Sequence, residues 1–507
     1  MNSSKQMKLG ALMSYFAIAF NIIAGLIYTP WMITQIGKSN YGLYTLASSL
    51  ITIFMVDFGM SAAVTRFVSK YNAAGDQKKV NDFLGIVYKL YLAIDAVILI
   101  ALAVVYFFLE TIYAQLSPSE LEIFKTLYLI VGLFSLISFP FTNLNGILTA
   151  YEKFVGLKFC DLFNKTFVIF AIVAVLLMGY GIYALVLVNA IVGLLTILLK
   201  LLIIRKTTPA RVNFGFFDKA MLKDIFGFSM WTTISSLAQR LIFNITPSII
   251  AVVSVTGAIG VAVFGLASTI EGYVFTIATA INGMFMPRIA KMIHDGKKDK
   301  ELLPLMVRIG RIQCMIIGLL VVGFIVLGES FVVNIWNKPD FSESYLCAVL
   351  MILPSFFYLP MQIAHTTLIV ENKVKLQAYV FIIMGLLNVG LSFVLSNYYG
   401  ALGASISIFV AYMVRTILMS LIYHKVLHIN IIAFSKESFL KITPFLIITA
   451  AVGFAVQKYN PINSIYLSFA VNAIVIVAVF MLLMTLFGFT KSEKQLFFGI
   501  FKKLKKN

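Results

Sequence analysis

Four ionisable residues stand inside long apolar runs: Asp57 in "ITIFMVDFGMSAA", Asp95 in "KLYLAIDAVILIALAVV", Arg240 in "SSLAQRLIFNITP" and Glu271 in "GLASTIEGYVFTI". A charge within lipid costs about 2.5–3.5 kcal/mol on insertion scales, so each is a functional candidate. The three acids can hold Na⁺ or a proton and so couple transport to an ion gradient. The alternative is that they pair with Arg240 or Lys89. Arg240 offers a planar, always-charged fork suited to bidentate phosphate binding. Its alternative is a structural partner to Asp57 or Glu271. Lys165 and His365 are secondary binding candidates; the imidazole can protonate near neutral pH or serve as hydrogen-bonded core. Asp161 and Lys165 are spaced as an i,i+4 pair. Asn143, Asn145, Asn189, Asn244 and Asn282 suit sugar hydroxyls, and interhelical hydrogen bonding suits them equally. Of these, Asn145 joins Arg240, Lys165 and His365 as the substrate-binding set.

The elements that hold these residues follow from composition. The chain has 507 residues, 61% hydrophobic and 12% charged, with mean hydropathy +0.96. A soluble domain is near half apolar and one quarter charged, so this is an integral membrane protein. Runs of about 20 apolar residues recur along its length, enough to cross the hydrocarbon as helix. Backbone groups in lipid must be satisfied internally, and no alternating barrel pattern is present, so the fold is all-α. The net charge of +19 belongs to loops between apolar runs, with no soluble domain to present it to nucleic acid. Cys160, Cys314 and Cys347 lie in separate apolar segments, without the spacing of a disulfide frame or a zinc site. The basic start "MNSSKQMK" leads into an apolar run too long for a cleaved signal, and is the first span.

About fourteen helices are expected, at 8–33, 41–65, 83–108, 125–149, 157–179, 181–204, 225–251, 258–286, 309–333, 346–370, 375–396, 401–424, 440–457 and 463–488. With the N-terminus inside, about thirty of the forty Lys and Arg fall on cytoplasmic loops and three or four outside, as the positive-inside rule requires. Both termini are then cytoplasmic. The tail "KSEKQLFFGIFKKLKKN" is either an amphipathic helix on the inner leaflet or a solvated stop signal.

The stretch "FPFTNLNGILTAYEKFVGLK" has a counterpart in "LPMQIAHTTLIVENKVKLQ". Pro140 and Pro360 are 220 positions apart, and Glu152 and Glu371 are 219 apart. Pro30 and Pro247 are offset by 217, the "LAS" at 46–48 and 266–268 by 220, Arg66 and Arg288 by 222, and Gly181 and Gly400 by 219. Several matches at one offset mark an internal repeat. The expected organisation is a six-helix lobe at 1–205, a second at 206–425, and two added helices with a basic tail at 426–507. Six is even, so the lobes are parallel repeats, with a path between them. Proline frees a carbonyl and bends a spanning helix, so Pro30, Pro140, Pro247 and Pro360 are expected to gate a central cavity. Its alternative is that proline is simply common in membrane helices.

The six-plus-six repeat, the two added helices, "GKSNYGLYTLASS", "DFGMSAAVTRFVSKY" and the "YEK" after the fourth span resemble the polysaccharide transporters, the O-antigen and capsule flippases of the multidrug/oligosaccharidyl-lipid/polysaccharide exporter superfamily. The resemblance covers essentially the whole chain. It implies a flippase in the bacterial cytoplasmic membrane. The cargo would be an undecaprenyl-diphosphate-linked oligosaccharide, moved from inner to outer leaflet by alternating access, for surface glycan such as lipopolysaccharide O-antigen. It implies membrane-lipid and glycan-polymerase partners, no nucleic acid, no metal and no cofactor beyond Na⁺ or H⁺ coupling. A lipid II flippase and an ion-coupled drug exporter of the same superfamily are the alternatives. A glycan-assembly enzyme needs a catalytic outer loop, and those at 109–124 and 334–345 are short. An ATP-driven pump needs GxxxxGK[ST], which does not occur.

Overall fold

The computed structural model describes residues 3–54, 59–279, 285–336, 338–371 and 373–495. Most of these are helical, with no strand among them. Among the described residues, eleven helices are long and apolar enough to cross a bilayer. One, Val374–Leu427, has 54 residues and breaks at Gly400 (φ 54°, ψ −128°), so it is two spans. A side chain is strained there, which is why glycine marks the junction. Two further pairs of helices follow closely on one another: Lys38–Phe54 with Met60–Ala73, and Lys219–Phe243 with Thr246–Val253. Counted in this way, the described residues accommodate about fourteen spans, the number the apolar runs indicated.

The internal repeat reappears in the register of the elements. Helices starting at Lys38, Gln77, Pro118 and Phe154 have counterparts starting at Gly257, Lys298, Pro339 and Val374, between 219 and 221 positions later. The fourth span of each copy breaks alike. Pro140 and Pro360 are each the buried middle residue of a three-residue 3₁₀ turn, Phe139–Phe141 and Leu359–Met361. Proline has no N–H to donate and its ring crowds the preceding turn, so the α-helix stops and restarts as Leu144–Ala150 and Gln362–Val370. Pro30 and Pro247 differ in setting. Pro30 lies inside the uninterrupted Ser3–Ile36 helix, whereas Pro247 stands in the first turn after a break.

The third helix of each copy is also clasped to the turn that ends the fourth span. Tyr151 donates to Gln77 Oε1 at 3.1 Å. Lys298, 221 positions after Gln77, pairs with Glu371, which also binds Lys373 at 2.7 Å. Burial raises the Glu371 pKa, but the bonds from Lys298 and Lys373 outweigh it and hold the carboxyl below its ordinary value.

By packing, the chain forms two compact units, Met1–Gly265 with Val374–Ala411, and Leu266–Lys373 with Tyr412–Asn507. In the first, Lys38–Phe54 packs against Thr246–Val253 and Lys219–Phe243. Contact is close: a Cβ on Gly42 would stand 1.9 Å from the Ala258 carbonyl oxygen. Asn388 donates to Ile242 O and Thr246 Oγ1, both at 3.3 Å. These contacts explain why Val374–Ala411 groups with the first unit by packing, although the repeat assigns it to the 206–425 lobe.

In the second unit the Lys298–Ser330 helix is the centre, packed by Lys441–Tyr459, Ile465–Leu483 and Ser342–Ile352. Arg311, on its inner face, binds Glu493 through Nε (2.7 Å) and Nη2 (3.0 Å). The same guanidinium donates to Glu437 O (2.8 Å) and Gly488 O (2.7 Å). One side chain thus ties together both added helices and the start of the tail.

Candidate functional site

The second unit holds a buried acid and arginine, a half-buried histidine and two tyrosines in ring contact. Glu271 is on Gly257–Thr279, Tyr358 on Ser355–Tyr358, His365 on Gln362–Val370, and Tyr412 and Arg415 follow the Gly400 break. Glu271 is 8% exposed and Arg415 6%. The Arg415 guanidinium lies 4.4 Å from the Tyr358 ring centroid and 5.8 Å from that of Tyr412. The two ring centroids are 5.1 Å apart and the rings are tilted by 33°. Glu271 lies within electrostatic range of both tyrosines, and Arg415 within range of His365. Gln362 Nε2 approaches His365 Nδ1 at 3.4 Å. Tyr358 and His365 flank the 3₁₀ turn at Pro360. An acid, a permanent cation, two phenols and an imidazole close together are the parts of a proton or cation relay within a membrane.

The first unit holds a second polar seam. Lys200, on Ile182–Thr207, donates to Asn145 Oδ1 at 2.9 Å and pairs with Asp161 Oδ1 at 3.5 Å. Lys158 pairs with Asp161 Oδ2 at 3.5 Å. Asn164 donates to Thr196 Oγ1 at 3.0 Å, closing Phe154–Leu177 onto Ile182–Thr207.

One pairing suggested by spacing is corrected here, and one cation offered to the membrane acids has another partner. Asp161 pairs with Lys158 and Lys200, not with Lys165, because the neighbouring helix delivers an ammonium to the same face; Lys165 itself is exposed. Lys89, offered with Arg240 as a partner for the three membrane acids, is engaged elsewhere. It donates to Phe216 O at 3.1 Å and lies over the Phe217 ring. Asp95 keeps a buried Oδ1 with no hydrogen-bond partner. The structure therefore brings His365 and Glu271 into one cluster, and sets Asn145 in another beside Lys200. Asp57 and Asn282 lie outside the described residues, as do the Arg240 side chain and the tail beyond 495.

Sequence reasoning missed Arg415, Lys200 and Arg311. Arg415 had a signal, since it interrupts "SISIFVAYMVRTILMSLIY" as Arg240 interrupts its own run. Lys200 and Arg311 sit near the ends of their runs, where a long basic side chain ordinarily reaches water, so type and position concealed their bonds.

The chain is similar to known proteins at three levels. An uncharacterised membrane protein of Methanocaldococcus jannaschii is 25% identical over 380 residues, 72% of this chain and 84% of that protein. A solved structure of the lipid II flippase MurJ in an inward closed conformation matches with TM-score 0.70 and 14% identity, over 94% of this chain and 98% of that one. An inward-facing multidrug resistance MATE family transporter of the MOP superfamily matches with TM-score 0.66 and 16% identity, over 84% and 99%. The fold is that of these all-helical transporters. The model of the polysaccharide biosynthesis protein family matches residues 10–293, more than half the chain. On that match, the chain belongs to the polysaccharide biosynthesis protein family.

Proposed function

We propose that the protein is a flippase for an undecaprenyl-diphosphate-linked oligosaccharide, working by alternating access in a bacterial cytoplasmic membrane to supply surface polysaccharide. The family match over residues 10–293 carries this reading. It is supported by a transporter fold along nearly the whole chain. In this reading both termini are cytoplasmic, as the charge asymmetry favours. Arg240, Lys165, His365 and Asn145 contact the cargo, Arg240 at the diphosphate. Asp57, Asp95 and Glu271 couple Na⁺ or H⁺, with Arg415 setting the field around Glu271. The four prolines bend the gating helices, and a glycan polymerase receives the product. No enzymatic step belongs to the chain.

Deletion of the gene followed by mass spectrometry of lipid extracts tests the cargo. Accumulation of an undecaprenyl-diphosphate oligosaccharide on the inner leaflet is expected. A second reading, lipid II transport, is favoured by the fold match extending over 94% of the chain. Accumulated lipid II with normal surface glycan would select it, and unchanged lipid pools would exclude both. Single cysteines at Lys78 and Lys300 should resist an impermeant thiol reagent from outside; ready labelling would invert the topology.

A further inference from the structure

A cavity of about 450 Å³ lies in the first unit, between Gln77–Phe107, Leu144–Ala150, the end of Ile182–Thr207 and the segment that follows it. Leu84, Tyr88, Leu144 and Leu201 form its apolar wall, and Arg205 and Arg211 stand in its lining. The wall formed by residues 210–212 is held in place. Arg211 N donates to Asn81 Oδ1 at 2.8 Å, Asn213 N to Asn81 O at 3.1 Å, and Gln77 Nε2 to Pro209 O at 3.2 Å. The Arg211 guanidinium is positioned by its own bond to Ala210 O, 2.7 Å. The nearby Asp82 carboxylate is taken up by the Asn213 amide at 2.6 Å and does not line the cavity. On the helix that bears Arg205, Leu198 and Leu202 are more than half exposed, as on a surface that faces lipid.

We propose that this cavity is a binding site for an anionic phospholipid, with its phosphate between Arg205 and Arg211 and one acyl chain against Leu84, Tyr88 and Leu201. The argument is charge and shape together. Two guanidiniums at a membrane boundary match a phosphodiester, and an apolar cleft behind them matches a hydrocarbon chain. Because residues 210–212 are one wall, occupancy would brace the connection between the sixth and seventh spans. The proposal does not depend on the identity of the transported cargo.

The test uses the full chain in phosphatidylcholine nanodiscs doped with phosphatidylglycerol bearing a diazirine on one acyl chain. After irradiation, adducts are expected on peptides containing Leu84–Tyr88 and Leu201–Val212. The Arg205→Gln/Arg211→Gln variant should lower them by about tenfold. Arg205→Gln alone changes an exposed residue in a helix end, so it provides an intermediate loss in a folded protein. Equal labelling by a phosphatidylcholine probe, or labelling unchanged in both variants, would overturn the proposal. Displacement by inorganic phosphate would reassign the site to a free anion. Displacement by equimolar undecaprenyl diphosphate would reassign it to the cargo.

Discussion

Replacing Arg311 should be among the most destabilising single changes in the second unit, and the structure gives both size and asymmetry. Arg311 and Glu493 are each 4% exposed and bonded in bidentate fashion. Arg311→Ala strands a buried carboxylate and also orphans the carbonyls of Glu437 and Gly488. Removing one partner of a buried pair costs about 3–5 kcal/mol. Glu493→Ala is milder, about 1–3 kcal/mol, because the guanidinium keeps two carbonyl acceptors. Part of that is the lost cap, since Glu493 Oε2 also accepts from Thr490 N at 2.7 Å. The double variant leaves no stranded charge, only two orphaned carbonyls, so it should cost less than the sum by about 1–3 kcal/mol. The assay is reversible unfolding of the purified protein in mixed micelles with increasing SDS, with hydrogen exchange read at 431–440 and 488–495. Faster exchange confined to those segments is expected in Arg311→Ala. Strict additivity, or an Arg311→Ala cost below about 1 kcal/mol, would refute the idea that this side chain fastens the added helices.

Three further outcomes follow from the geometry. Glu371 has a folded pKa below its ordinary 4.5, so its contribution is complete above that value and lost as pH falls through the lowered one. Hydrogen exchange at the start of Lys298–Ser330 should therefore quicken below about pH 4.5, and Glu371→Gln should show the faster rate at neutral pH already. Gly42→Ala must displace the Ala258 backbone, because the new Cβ would lie 1.9 Å from its carbonyl oxygen; a cysteine pair across 41 and 259 should then crosslink less, and unchanged crosslinking would contradict the close packing. Glu271→Gln should abolish ion-coupled transport at normal protein abundance, whereas Arg415→Lys should retain part of it. If Glu271→Gln transports fully, the buried cluster is structural.

Composition and periodicity alone carried the reading of membrane class, helical content and about fourteen spans, because lipid admits few ways to satisfy a backbone. Repeat offsets located Pro140 and Pro360 in matching positions, and both became the same 3₁₀ turn. The partners of charged residues were not legible. Sequence spacing proposed Lys165 for Asp161, but which ammonium reaches a carboxylate depends on how Ile182–Thr207 packs, and packing delivered Lys200. Likewise, nothing local says that Arg311 will meet Glu493, 182 residues away, or that Glu271, His365 and Arg415 will gather around two tyrosines. Local sequence determined where helices start, break and end. Tertiary packing decided which buried charges face one another, since that is set by the rotation and neighbours of each helix rather than by its own residues.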